Sequence, residues 1–462
     1  MTSDPQRLSR SLPGTLVAAP IRMVHIGLGN FHRAHQAWYT AHASDADQWG
    51  YASFTGTSPR VADALGPQDG LYTLIVRGSE GDSFETIGSL SAVHAAAEHE
   101  TYLDYLARPE VSVVSATVTE AGYLRGQDGH LNTDDDALAA DLAVLRQNPR
   151  QRVRTLPARL LAGLLARRSA GARALTILSC DNLPENGEAA KTVVYDLAVL
   201  LDDSLVGWMD DQIDFASSMV DRITPAPTDD DRRLVQDRCG YVDAYPVPTE
   251  PFHEWVLSGR FPGGRPRWED AGATVVADVR PFEQRKLWLL NASHSLLAYA
   301  GSVRGHETID EAIGDPVCRS WVTALWDEAS RHVSLPSTDI DAYREALLLR
   351  FSNPRMRDYL ARIAADGSQK LPVRTLPVVQ AERQMGRLPW GCATSLAAWV
   401  LHLRGLGAPI KDPGAAVARV AANVEELAEA VPAVLDFLQP GLGEDVEFVA
   451  LVVDRARDIG AR

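Results

Sequence analysis

The chain has 462 residues, with 45 Lys+Arg against 61 Asp+Glu, a formal net charge of −16, and 45% hydrophobic against 23% charged residues. This balance belongs to a globular protein of two or three domains and excludes disordered or collagen-like chains, and no apolar run nears the ~18 residues of a membrane-crossing helix. Net acidity without a concentrated basic face argues against a nucleic-acid partner and leaves small-molecule chemistry as the expectation.

Residues 1–12 carry Arg7 and Arg10 but no apolar stretch, so no secretory leader and a cytoplasmic location are expected. Short β-branched runs at 23–26, 51–56, 72–76 and 111–118 predict strands. Helical spacing follows at 137–146 and 158–168, and then the apolar run 174–179 predicts a further strand. Such alternation implies an α/β fold with a largely parallel sheet covered on both faces. From about residue 280 helix spacing takes over, at 282–299, 316–329, 340–351, 393–403 and 414–430. The expected organisation is an α/β domain over 1–278 and a mostly helical domain over 279–462. A Pro/Gly-rich surface loop at 261–266 precedes the change.

After the first predicted strand comes Gly27-Leu28-Gly29-Asn30-Phe31-His32-Arg33-Ala34-His35. A G-x-G turn between strand and helix lets the backbone approach a pyrophosphate, which makes 1–278 a candidate Rossmann-like dinucleotide-binding domain. Gly27, Gly29, Asn30, Phe31 and Arg33 are its candidate cofactor residues. The third glycine is missing, and the second strand ends in Thr55-Gly56-Thr57-Ser58-Pro59-Arg60 without the carboxylate that grips an adenosine ribose. NAD is the expected cofactor, and Arg60 keeps NADP open.

Only four of the 45 cationic residues are lysines (Lys191, Lys286, Lys370, Lys411). Arginine cannot give up its proton, so a lysine within a polar constellation is a candidate acid/base, whereas Lys191 and Lys411 lie beside loop-like sequence and read as surface charges. Lys286-Leu287-Trp288-Leu289-Leu290-Asn291-Ala292-Ser293-His294 is such a constellation. On an α-helix Asn291 lies about 140° and His294 about 80° around from Lys286, so three polar groups share one side of an apolar helix. A solvent-facing stripe explains any one of them alone, but not the set so well. A third string, Ser179-Cys180-Asp181-Asn182-Leu183-Pro184-Glu185-Asn186-Gly187, follows the run 174–179. Taken alone it reads as a turn; placed beyond the end of a parallel strand, its amide can stabilise an alkoxide.

Together with Thr119-Glu120-Ala121-Gly122-Tyr123, Met219-Val220-Asp221-Arg222 and Asp366-Gly367-Ser368-Gln369-Lys370, these strings resemble the polyol-specific long-chain dehydrogenases. That family includes mannitol 2-dehydrogenase, arabinitol dehydrogenase and the hexuronate reductases, and the resemblance runs from about residue 21 to 403. It implies NAD-dependent, metal-independent interconversion of a linear polyol and its ketose, of the mannitol/fructose type. It makes Lys286 the general base, Asn182 and Asn291 the amides on the substrate oxygen, and His294 a hydrogen-bonding partner of that oxygen. Asp221, Arg362 and Lys370 would grip other hydroxyls, and Glu120 and Glu283 would move the released proton. The base must be neutral at working pH, which for a lysine means a shift from ~10.4 to roughly 7–8. The site is expected in a cleft between the two domains.

The four cysteines form no C-x-x-C pair, and the acidic triplets 134–136 and 229–231 lack calcium-loop spacing, so no metal is expected. Within the family, a keto-hexuronate (fructuronate or tagaturonate) reductase is the alternative; its extra cation cannot be singled out among 41 arginines. A nucleotide-binding sensor without catalysis is the alternative outside it, disfavoured by a base and two oxygen-holding amides. Short-chain dehydrogenase chemistry is poorly supported, because no lysine stands four residues after a tyrosine. Polyol or ketose is the only partner expected, with the chain a monomer or small homo-oligomer.

Overall fold

The computed structural model describes residues 6–12, 14, 16–172 and 174–461. Part of the leader expectation and the outermost ends of both expected domains fall outside the described residues. The chain divides into two compact units, Met1–Arg280 and Pro281–Arg462.

The first unit carries eleven strands among the described residues: β1 (Ile21–Ile26), β2 (Gly50–Phe54), β3 (Tyr72–Gly78), β4 (Gly81–Ile87), β5 (Leu90–His94), β6 (Val113–Ala116), β7 (Leu175–Ser179), β8 (Ile213–Asp221), β9 (Val247–Thr249), β10 (Glu254–Ser258) and β11 (Thr274–Val275). Eight of them form one sheet in the order β11-β10-β8-β7-β6-β1-β2-β5. From β5 to β8 every pairing is parallel, and β10 runs antiparallel to β8. The chain leaves β1 for β2 on one side and later returns to β6 on the other, which makes the β1/β6 crevice the point where strand order reverses. Ligands of doubly wound sheets bind there.

The sheet is buried on both faces because successive side chains alternate. Val24, Ile26, Val114, Leu175 and Ile177 pack into one apolar cluster, with the helices His99–Leu106, Leu156–Ala170 and Asn186–Leu201 over them. Met23, Tyr51, Val113 and Leu178 enter a second cluster that includes Trp255 and Trp268.

One expected strand lies elsewhere and one strand was not expected. The run 72–76 is a strand, but it belongs to a separate three-stranded sheet, β4-β3-β9, where β3 and β4 form a hairpin. β8 escapes periodicity altogether: Ile-Asp-Phe-Ala-Ser-Ser-Met-Val-Asp mixes polar and apolar residues, and its burial comes from β7 and β10 on either side.

The second unit contains no strand among its described residues. Its centre is Trp390–Leu403, buried from Gly391 to Leu403, as befits a helix apolar on every side. Glu328 caps its start, accepting from Gly391 N at 2.7 Å and Cys392 N at 2.9 Å. The single helix expected at 414–430 is broken into Ala416–Ala422 and Leu427–Leu438. Arg404 explains the break: its guanidinium donates to the carbonyls of Ala422, Val424 and Glu425, which an unbroken helix would have used itself.

Candidate active site

In the first unit the candidate site is built at the ends of β1, β6 and β7. Past β1 the chain turns at Gly27, with φ of 108°, and the amides of Gly27 and Leu28 both donate to Phe54 O, at 2.9 and 2.8 Å. The glycine turn is thereby fastened to the end of β2. Thr117, after β6, donates its hydroxyl to Gly27 O at 2.9 Å, and that hydroxyl also meets His25 Nε2 at 3.0 Å. A Cβ on Gly27 would lie 2.1 Å from Thr117 O, whereas one on Gly29 would meet only Gly27 O at 3.5 Å. Packing therefore demands the first glycine and not the second.

Behind the turn the rings of His25 and His32 stack with centroids 3.4 Å apart. Burial pushes His25 down to about 3 and His32 well below the usual histidine range, so both are neutral. Arg33 faces inward. It holds Asn30 Oδ1 at 2.7 Å, Gly29 O at 3.2 Å and Tyr245 O at 2.5 Å, which makes it a brace of the turn.

Past β7, Asn186 clamps the turn that bears Asn182. Its amide nitrogen donates to Asp181 O at 3.1 Å and Ser218 O at 2.8 Å, and its oxygen accepts from Ser218 N at 3.0 Å. The Asp181 carboxylate accepts from the Tyr123 hydroxyl and from Leu183 N. Burial, above all, raises Asp181 to about 6, and the nearby Glu120 charge adds to the rise. A cavity of about 320 Å³ opens among these turns, lined by Gly27, Gly29, Asn30, Phe31, Thr117 and Asn182, among others. Glu120 is exposed at the start of the short turn Glu120–Tyr123, and Asp221 is buried at the end of β8. Sequence reasoning places Asp181, Asn186 and Tyr123 within its motifs but assigns them no role, and it does not single out Thr117, since their roles depend on partners such as Ser218, 32 residues from Asn186.

In the second unit Lys286, Asn291 and His294 lie on one continuous helical run, but its winding changes. Arg280–Arg285 is α-helical, Lys286–Asn291 is a π-turn and Ala292–Leu296 is α-helical again. In a π-turn the hydrogen bonds join residues five apart, as Ala292 N does with Leu287 O. Residues five apart then stand one turn apart on the same face, so Lys286 and Asn291 are closer in direction than the about 140° of an α-helix. Leu289 O accepts from Ser293 Oγ at 2.5 Å and from the Trp326 indole at 3.1 Å. Lys286 and Glu283 are both buried, and the His294 ring packs against Phe351 with centroids 5.0 Å apart. Arg374 donates to Asn291 O at 3.2 Å and Ser295 Oγ at 3.1 Å, bracing the same run.

The last two candidates are engaged within their own segment. Arg362 is exposed and pairs with Asp358. Lys370 Nζ donates to Ile363 O at 3.2 Å and Ala365 O at 2.6 Å, and desolvation, followed by the Arg374 charge, lowers its pKa.

One group of metal-ligating side chains, His306, Asp315 and Cys318, has its ligand atoms within 4.8 Å of one another among the described residues. Asp315 is already saturated: one oxygen caps Val317 N and the other takes Arg304 Nε at 2.6 Å and His306 Nε2 at 3.1 Å. Those bonds hold its carboxyl well below the usual range, and Arg304 supplies the positive charge. The cluster is a capped ion pair.

Both halves of the chain match known families. The mannitol dehydrogenase Rossmann domain matches residues 21–270, and the mannitol dehydrogenase C-terminal domain matches residues 278–459. The chain is 39% identical to D-mannonate oxidoreductase of Escherichia coli (strain K12), over 83% of this chain and 80% of that protein. It is 38% identical to mannitol 2-dehydrogenase of Phaeosphaeria nodorum, over 83% of this chain and 69% of that protein. Among solved structures it resembles the ternary complex of Pseudomonas fluorescens mannitol 2-dehydrogenase with NAD and D-mannitol. There the TM-score is 0.80 and the identity 33%, covering 96% of this chain and 93% of that one. A substrate-free D-sorbitol dehydrogenase gives a TM-score of 0.87 at 29% identity, covering 98% of each chain.

Proposed function

The chain belongs to the mannitol dehydrogenase family, and from that premise we propose that it interconverts a linear polyol and its ketose by hydride transfer with NAD, mannitol and fructose being the first pair to test. The nucleotide fits the cavity at the ends of β1, β6 and β7: a glycine turn forms part of its wall, and a side chain at Gly29 would meet no protein atom nearer than 3.5 Å. Gly27, Gly29, Asn30 and Phe31 would hold it, with Arg33 bracing the turn. When bound, the nicotinamide supplies the hydride acceptor.

The remaining chemistry falls to side chains. Lys286 takes the hydroxyl proton as the carbinol hydrogen leaves with its electron pair, and the carbon–oxygen bond becomes a carbonyl. Asn182 and Asn291 donate to the oxygen as charge develops on it; removing one such donor typically costs about 2.7–4 kcal/mol. His294 hydrogen-bonds the same oxygen, Asp221, Arg362 and Lys370 hold further hydroxyls, and Glu120 and Glu283 pass the proton on. A lysine base leaves no step for a metal to perform. The observation that carries this reading is the π-turn, because it puts the would-be base and an oxygen-holding amide on one face at a five-residue spacing. Winding of this kind recurs at functional sites.

A second reading, reduction of a keto-hexuronate such as fructuronate, is favoured by the 39% identity to a mannonate oxidoreductase. NADH absorbance followed with mannitol, arabinitol, fructose and fructuronate separates the two. Turnover with mannitol and fructose is the expected result, turnover with fructuronate alone selects the second reading, and none with any of these substrates contradicts both.

A further inference from the structure

In dinucleotide-binding sheets the adenosine ribose lies beside the end of the strand that follows the glycine turn, where a carboxylate pairs with its 2′-hydroxyl. Here that strand is β2, and Phe54 O at its end accepts from Gly27 N and Leu28 N, so the following segment starts directly at the glycine turn. The segment reads Thr55-Gly56-Thr57-Ser58-Pro59-Arg60, and the first acid after it is Asp63, within the helix Arg60–Leu65. Residues 56–60 are exposed.

Acidic groups from the neighbouring strand do not fill the place. β5 pairs with β2, and Glu98 beyond it is folded onto its own loop, one oxygen accepting from Ala95 N at 2.8 Å and the other engaging His94 Nδ1 at 2.8 Å. Positive charge collects instead. The Arg60 guanidinium lies 5.7 Å from the Tyr245 ring, and the buried Arg159 donates to Thr55 O at 3.5 Å. Among the described residues, segment 55–60 offers a ribose 2′-hydroxyl no carboxylate of its own, whereas it offers a phosphate dianion a cation with forked donors and the hydroxyls of Thr57 and Ser58.

We propose that this end of β2 is a 2′-phosphate site: the chain binds NADP(H) at least as readily as NAD(H), with Arg60 the residue that decides it. The proposal rests on the dinucleotide reading above, and direct nucleotide binding keeps the two apart because no polyol is needed. Calorimetric titration of the whole chain with NADH and with NADPH, and of Arg60→Ala with both, is the test. The expected result is NADPH bound as tightly as NADH or more so, with Arg60→Ala weakening NADPH by about 10–100-fold and NADH by less than about threefold. NADPH binding weaker than NADH, or an equal loss of both on substitution, overturns the phosphate site and leaves the dinucleotide reading standing. Binding of neither overturns both. Arg60 is exposed, so the substitution leaves the core packing untouched.

Discussion

At Gly27 two constraints coincide, a positive φ and the carbonyl of Thr117 at the place of a side chain. Gly27→Ala should therefore lower the unfolding free energy by on the order of 3 kcal/mol. Gly29→Ala should stay within about 1 kcal/mol in the same denaturant titration and show its effect in nucleotide affinity instead. Asp181 makes a different kind of prediction. Its carboxyl is raised to about 6 in the folded protein, so the folded state favours the protonated form, and that preference is lost as pH rises through about 6. Asp181→Asn carries no charge at any pH. The stability difference between variant and parent should move in the variant's favour between pH 4 and 8, by at most about 3 kcal/mol. A pH-independent difference would mean that the buried carboxylate carries no desolvation penalty.

The run from Arg280 to Gly301 shows what a helical wheel can and cannot deliver. The spacing of Lys286, Asn291 and His294 was legible as one polar side of an apolar helix, and the run is indeed helical throughout. Its π-turn was not legible, because part of its support comes from outside the run: Leu289 O accepts from Ala292 N and Ser293 Oγ within the run and also from the indole of Trp326, 37 residues on. Trp326→Phe keeps the aromatic packing and removes the donor that reaches both Leu289 O and Ser293 Oγ. Urea unfolding should register a loss of about 1–3 kcal/mol; no loss would show that the π-turn holds itself. The break of the 414–430 helix follows the same rule, since Arg404 lies outside the interval whose pattern was read. Local propensity is written in the segment, and the partner that overrides it is not.

For the whole molecule, alternation of strands and helices gave the parallel sheet, and the loss of β-rich runs past residue 280 gave the helical unit. β8 stayed hidden, as did the place of β3 outside the main sheet, because long-range pairing with β7 and β10 decides the first and with β9 the second. The polar residues enclosed by this fold set its response to acid. His25 and His35 are each held down to about 3, so the unfolded chain binds more protons than the folded one between about pH 6.5 and 3. Stability is full above that window and falls as pH drops through it, by about 2 kcal/mol per histidine at pH 5. Thermal unfolding followed from pH 8 to pH 4 should show this decline. The proposed reaction turns on Lys286, and the most direct test compares the pH profile of kcat/KM for mannitol oxidation in the parent chain and in Lys286→Ala, with NADH binding measured alongside. A parent rate that climbs with pH through the neutral range is expected, with a variant that binds NADH undiminished yet loses nearly all turnover; a variant that keeps the parent's rate and profile would rule Lys286 out as the base.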